Sequence, residues 1–498
     1  MNVNPITRLD YPDPDVIRVE DTYYMVSTTM HFMPGCEILQ SFDLVHWEHV
    51  TYVYETLDHT DAQQLKSGHN IYGQGMWAAS LRYHEGRFYI CFVANDTRKT
   101  YLYTSEKIDG PWKKQLIEGF YHDGSLLFDE DGRNYIVYGN DEIWITELNE
   151  DLTAPKKDGL HRLLVSDHKN PELGYEGSHI QKINGYYYIF LVHSLRDRWM
   201  RTEACFYSDS LEGEFTGGDV LCDDRGYCGQ GVAQGGIVDT PDGKWYAMLF
   251  QDSGAVGRLP ILLPVTWKDH FPVFGQNGHV PEEIEVHSTR PGYIYQPLVG
   301  SDDFCNGLLP RWQFNHDPDP QYYHLDALQG TYTITTREVC TELTQAVNTL
   351  TQRMSYPSCA AEVTVDASAL KEGDVAGLCA FQGCYAAVGI TKHHGKYEVL
   401  MLDKKEDGIL DMTEGTVVES HQMDFRLEAD FCNMKDEARC YYRVNKGDWL
   451  PIGTVHKLYF KLDHFTGCRF GLFCYAAEET GGSACFRDFK YYDVDEIS

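Results

Sequence analysis

The sequence predicts an all-β protein in two parts, a five-bladed β-propeller followed by an antiparallel β-sandwich. Three observations carry this. Apolar residues alternate with period two between Gly, Asp and Asn turns, as short antiparallel strands require. One strand–turn–strand pattern recurs five times before residue 297. The pattern then stops and a different alternation takes over. At 498 residues the chain exceeds what one core usually supports, so two units are expected. Their bounds are read as 1–297 and 301–498, because Gly and Pro interrupt the pattern between Pro291 and Ser301.

Each repeat opens on a short apolar strand, turns at a Gly-, Asp- or Asn-containing pair and returns as an aromatic-rich strand. The copies begin at Asp13, Trp77, Asp123, Glu176 and Gln234, and their return strands begin at Tyr23, Phe88, Tyr135, Tyr186 and Trp245. Further strands lie between copies, such as Thr100–Thr104 and Cys205–Ser208, so each unit amounts to a four-stranded sheet. Sheets of this kind protect their edges by radial packing, and five units imply five blades. Beyond Ser301, segments such as 360–365 and 457–461 alternate and read as strands of the sandwich.

Composition narrows the partners. The formal net charge of −33 repels nucleic acid and anionic membrane surfaces while leaving neutral sugars compatible. The amino terminus lacks a basic segment followed by an apolar run, and no apolar stretch is long enough to span a bilayer, so a soluble, unexported, cytoplasmic protein is expected. Fifteen cysteines, many inside apolar runs, read as free thiols; Cys222 and Cys228 have no second pair at zinc-site spacing. The sequence carries no signal for an oligomeric state.

Position singles out three acids. Asp13, Asp123 and Glu176 stand at the same place in their repeats, the start of the leading strand near the propeller axis, so rotation about that axis brings them to one pocket. Like charges and partial burial there separate carboxyl pKa values, as acid–base glycoside hydrolysis requires. The competing reading is that these acids cap blades by accepting backbone N–H bonds. Trp77, at the start of the second repeat, either stacks on a sugar face or packs between blades.

These segments carry a resemblance. Tyr11-Pro12-Asp13-Pro14-Asp15, Trp77-Ala78-Ala79, His122-Asp123-Gly124-Ser125-Leu126 and Tyr175-Glu176-Gly177-Ser178-His179 resemble glycoside hydrolase family 43, which comprises β-xylosidases and α-L-arabinofuranosidases. The resemblance implies a five-bladed propeller that inverts anomeric configuration, with Asp13 as general base, Glu176 as general acid and Asp123 as the carboxylate that raises and orients the acid. Gly257-Arg258-Leu259-Pro260 resembles the family's substrate-binding arginine region, so Arg258 is expected to reach sugar hydroxyls and to help keep neighbouring carboxylates ionised.

Gln234 stands where many relatives carry a histidine associated with bound calcium, which leaves structural calcium an open expectation; the hydrolysis itself requires no cofactor. Asp302-Asp303-Phe304, Trp312 to His316 and Thr351-Gln352-Arg353 resemble the concanavalin-like sandwich appended to xylosidase-type members. That domain is expected to wall off one side of the pocket and favour release of single sugars. The expected substrate is a xylo- or arabinoxylo-oligosaccharide. A retaining fructan-type propeller and a non-catalytic carbohydrate-binding propeller are the competing readings.

Overall fold

A computed structural model describes residues 2–493. The all-β expectation holds, with only short 3-10 turns besides strands. Five four-stranded antiparallel sheets form the blades, four of them built from consecutive strands and the first interrupted by Phe32–Met33. The first comprises Asp15–Val19, Thr22–Val26, Gly35–Ser41 and Glu48–Tyr54. The leading strands of the others are Met76–His84, Ser125–Phe128, Glu176–Ile183 and Val232–Asp239. These five inner strands touch in a closed ring, with the fifth against the first.

Aromatic and branched residues hold the ring together from between the blades. Five apolar clusters are each shared by two neighbouring blades, for example Cys91 and Leu102 of the second with Leu126 and Ile136 of the third. Closure between the fifth and first blades uses the amino-terminal segment. Asn2–Val3 pairs with Glu283–Ile284, and the Ile6 and Tyr11 N–H groups donate to the carbonyls of Pro260 and Arg258.

Two sheets form the concanavalin-like sandwich around one apolar core. Ser358–Asp366 is a strand, covering the expected 360–365. The expected strand at 457–461 is absent. Leu450–Lys457 ends there, and residues 458–468 form a loop. The reason is tertiary: Leu458 is buried in the sandwich core, while Phe460 lies 5.5 Å from Phe465, so the alternation marks anchor points of a loop. A Cys–His–Asp line fastens its base. The Cys384 thiol donates to the Lys457 carbonyl at 3.3 Å and lies 3.4 Å from His456 Nε2, while His456 Nδ1 is 2.7 Å from Asp403. Burial pushes that thiol up to about 12, so the triad is a strut and not a nucleophile.

The two units share backbone. Phe32–Met33, from a first-blade loop, pairs with Gln313–Asn315 and forms the edge of a sandwich sheet. Arg353, on Leu350–Arg353, crosses the seam to Glu37 at 2.8 Å and to the Asp10 carbonyl at 2.9 Å, lying 4.1 Å from the Tyr11 ring centre.

Candidate active site

Hydrogen bonds between blades fix which residues are equivalent. Leu81 N–H donates to Asp15, Leu126 N–H to Ser80 and Ile180 N–H to Ser125, so Asp15, Ser80, Ser125 and His179 hold matching places. The strand pairing of Gly236 extends the match to the fifth blade. Two residues earlier stand Asp13, Asp123, Gly177 and Gln234, with left-handed φ values of 52°, 47°, 66° and 64°. Glu176 therefore stands one residue earlier than Asp13 and Asp123, and Gln234 one residue later than Glu176, which corrects the expectation of a common position. Equivalent β-bulges follow Trp77, Glu176 and Ala233, so Glu176 shares its place with Trp77 and Ala233.

Those turns gather the acids. Asp13 is buried; its Oδ2 accepts from Thr28 Oγ1 at 2.5 Å and its Oδ1 from Arg258 Nη1 at 3.1 Å. Asp123 Oδ2 accepts from the Gly177 N–H at 3.0 Å, which holds it beside Glu176. Glu176 Oε2 accepts from Asn140 Nδ2 at 2.7 Å and lies 3.4 Å from His122 Nε2, which is itself 3.5 Å from Asp123. Burial, reinforced by the negative charges of Glu176 and Asp13, pushes the Asp123 carboxyl up to about 6 even though His122 pulls it down. Chiefly through Asp123, and against the cost of burial, His122 is raised to about 9, so an imidazolium sits between the two acids.

Trp77 is half-buried, with its ring 5.5 Å from Phe465 and 6.1 Å from His122. Phe465 comes from the 458–468 loop, so a sandwich side chain lies against Trp77 and Arg258. Asp10 anchors that loop. Its Oδ2 accepts from Gly467 N–H at 2.7 Å and its Oδ1 from Arg258 N–H at 2.8 Å. Arg258, 2% exposed, lies 4.2 Å from the Phe465 ring centre, so its guanidinium serves Asp13 directly and is covered by the loop. A second buried cation, Arg201, is held by Asp252 at 2.8 Å; burial opposes its charge, but Asp252, Glu176 and Asp13 together sustain it.

Sequence reading passed over His122, Asn140, Thr28, Asp10 and Phe465 as functional candidates. His122 stood inside a quoted motif, adjacent to Asp123, and its partner Glu176 in the next repeat was the missing signal. The others act through the fold alone.

Structural calcium remains an expectation of the sequence. Calcium wants several free oxygen ligands, whereas both oxygens of the axial Asp15 are engaged, one by Arg82 at 2.8 Å and Leu81 N–H, the other by His179 at 3.1 Å. Gln234 lies against Gly177, so close that a Cβ there would stand 2.7 Å from Gln234 Cγ. His122, Asp123 and Glu176 bring ligand atoms within 4.8 Å of one another.

Comparison with known proteins now identifies the architecture. The profile of glycosyl hydrolases family 43 matches residues 3–272, and that of the β-xylosidase C-terminal concanavalin A-like domain matches residues 301–492. A β-xylosidase of Formosa agariphila is 27% identical over 99% of this chain and 89% of its own length. A xylosidase/arabinosidase of Butyrivibrio fibrisolvens is 24% identical over 99% of each. Among solved structures, a bifunctional GH43-CE protein of Bacteroides eggerthii superposes with a TM-score of 0.92 at 42% identity; the match covers 99% of this chain and 63% of that one. With the propeller, the carboxylate cluster and both profile matches in agreement, the chain belongs to family 43 of the glycosyl hydrolases.

Proposed function

We propose that the protein is an inverting exo-glycosidase that releases a terminal pentose, β-D-xylose or α-L-arabinofuranose, from xylo- or arabinoxylo-oligosaccharides. The convergence of Asp13, Asp123 and Glu176 beside a Trp77–Phe465 wall carries this reading. Asp13, with Arg258 as counter-charge, takes a proton from the attacking water. Glu176 gives a proton to the departing oxygen, and Asp123, held by the Gly177 N–H, orients that acid. Trp77 and Phe465 supply apolar ring faces for the sugar. Gln234 borders the acid's turn and Arg258 tunes the base, so both shape the substrate site from behind the reacting groups. The names of the relatives span both sugars, and relative turnover of p-nitrophenyl β-D-xyloside and α-L-arabinofuranoside ranks them.

Asp13→Ala and Glu176→Ala are each expected to lower kcat by about 10²–10⁴ on p-nitrophenyl xyloside with unchanged far-UV circular dichroism. Proton NMR of the first product from a β-xyloside should show α-xylose. Initial release of β-xylose would refute inversion, and activity retained by either variant would remove its assigned role.

A further inference from the structure

Glu203 lies in Arg201–Ser208, the third strand of the fourth blade, opposite Val192, which in turn stands opposite Glu176. It is fully buried, with 0% exposure. Its Oε2 accepts the Gln234 N–H at 2.7 Å, and its Oε1 has no partner among the described residues. We propose that Glu203 is a positioning residue whose buried carboxyl holds the left-handed turn at Gln234 against Gly177 and thereby fixes the spacing of Asp123 and Glu176.

The linkage is short. The Gln234 side chain abuts Gly177, the Gly177 N–H holds Asp123, and Gly177 is joined by one peptide bond to Glu176. Burial pushes the Glu203 carboxyl well above the usual carboxylate range, opposed by the hydrogen bond from the Gln234 N–H. The charged groups around it are committed elsewhere: Arg201 to Asp252, and Glu176 to Asn140 and His122. The neighbouring Cys205 thiol is likewise held neutral by burial. With Oε2 accepting the Gln234 N–H, an isosteric amide can take over the same acceptor role.

The inference rests on the acid–base reading of the site, and three measurements test it: kcat and KM of Glu203→Gln and Glu203→Ala on p-nitrophenyl xyloside, and melting temperatures from pH 5 to about 9. Glu203→Gln should keep kcat/KM within about threefold of wild type, while Glu203→Ala lowers kcat about tenfold or more with KM little changed. The melting temperature of Glu203→Gln should exceed that of wild type by a margin that widens with pH, because unfolding of the wild type releases a proton that the fold retains.

Wild-type kcat in a folded Glu203→Ala variant, or equal impairment of both variants, would overturn the proposal. So would a melting-temperature margin that does not change with pH. Should Glu203→Ala not fold, Glu203→Gln and the pH-dependent margin decide. A wild-type protein inactive on every pentoside would sink the site reading instead, and the margin alone would then judge Glu203.

Discussion

His122 sets the charge of the site. Its imidazolium pulls the Asp123 carboxyl down while burial and the other carboxylates push it up to about 6. Replacing His122 with Gln removes the downward pull, so Asp123 keeps its proton to higher pH. The alkaline limb of kcat/KM should therefore move upward in pH relative to wild type. An unmoved or lowered limb in pH–rate profiles would show that His122 does not govern this titration. Sequence reading found all three acids because each opened a motif. It passed over Glu203, whose Arg-Thr-Glu-Ala-Cys setting looks like an ordinary alternating strand.

At the scale of the strand, the bulge after Glu176 does the placing. The left-handed Gly177 lets Glu176 project beside Asp123 while its own N–H holds the Asp123 carboxylate. Gly177→Ala adds a Cβ 2.7 Å from Gln234 Cγ at a φ of 66°, so it should cost about 1–3 kcal/mol of stability and lower kcat. Thermal unfolding and steady-state kinetics check this, and a variant as stable and active as wild type would contradict it. Strand–turn–strand order was readable because hairpin chemistry is local. The one-residue offset of Glu176 was hidden, because the equivalence of positions is set by hydrogen bonds between blades. The 458–468 loop was hidden for a related reason: its apolar residues alternate, but they face two different units.

Across the whole molecule, the buried Arg353–Glu37 pair joins sandwich to propeller. Burial raises the Glu37 carboxyl, yet Arg353 and His49 more than offset this and bring it from 4.5 to about 2. Its contribution to stability is therefore full above about pH 4.5 and is lost as pH falls toward 2. Arg353→Met leaves Glu37 buried without its main partner and should cost about 3–5 kcal/mol. Wild-type calorimetry should show one transition at neutral pH, and the variant a clearly lower midpoint. An unchanged midpoint would count against the coupling of the two units. The two-part architecture was legible because the repeat stops. The joint was not, since it forms between residues more than three hundred positions apart.

The Phe32–Met33 strand gives this joint a consequence for protein engineering. A piece of the propeller completes the neighbouring unit's sheet, so the two cannot be exchanged as cassettes cut at the linker. A chimera that swaps in another sandwich must also graft the first-blade loop that borders it, or the new sheet loses its last rung.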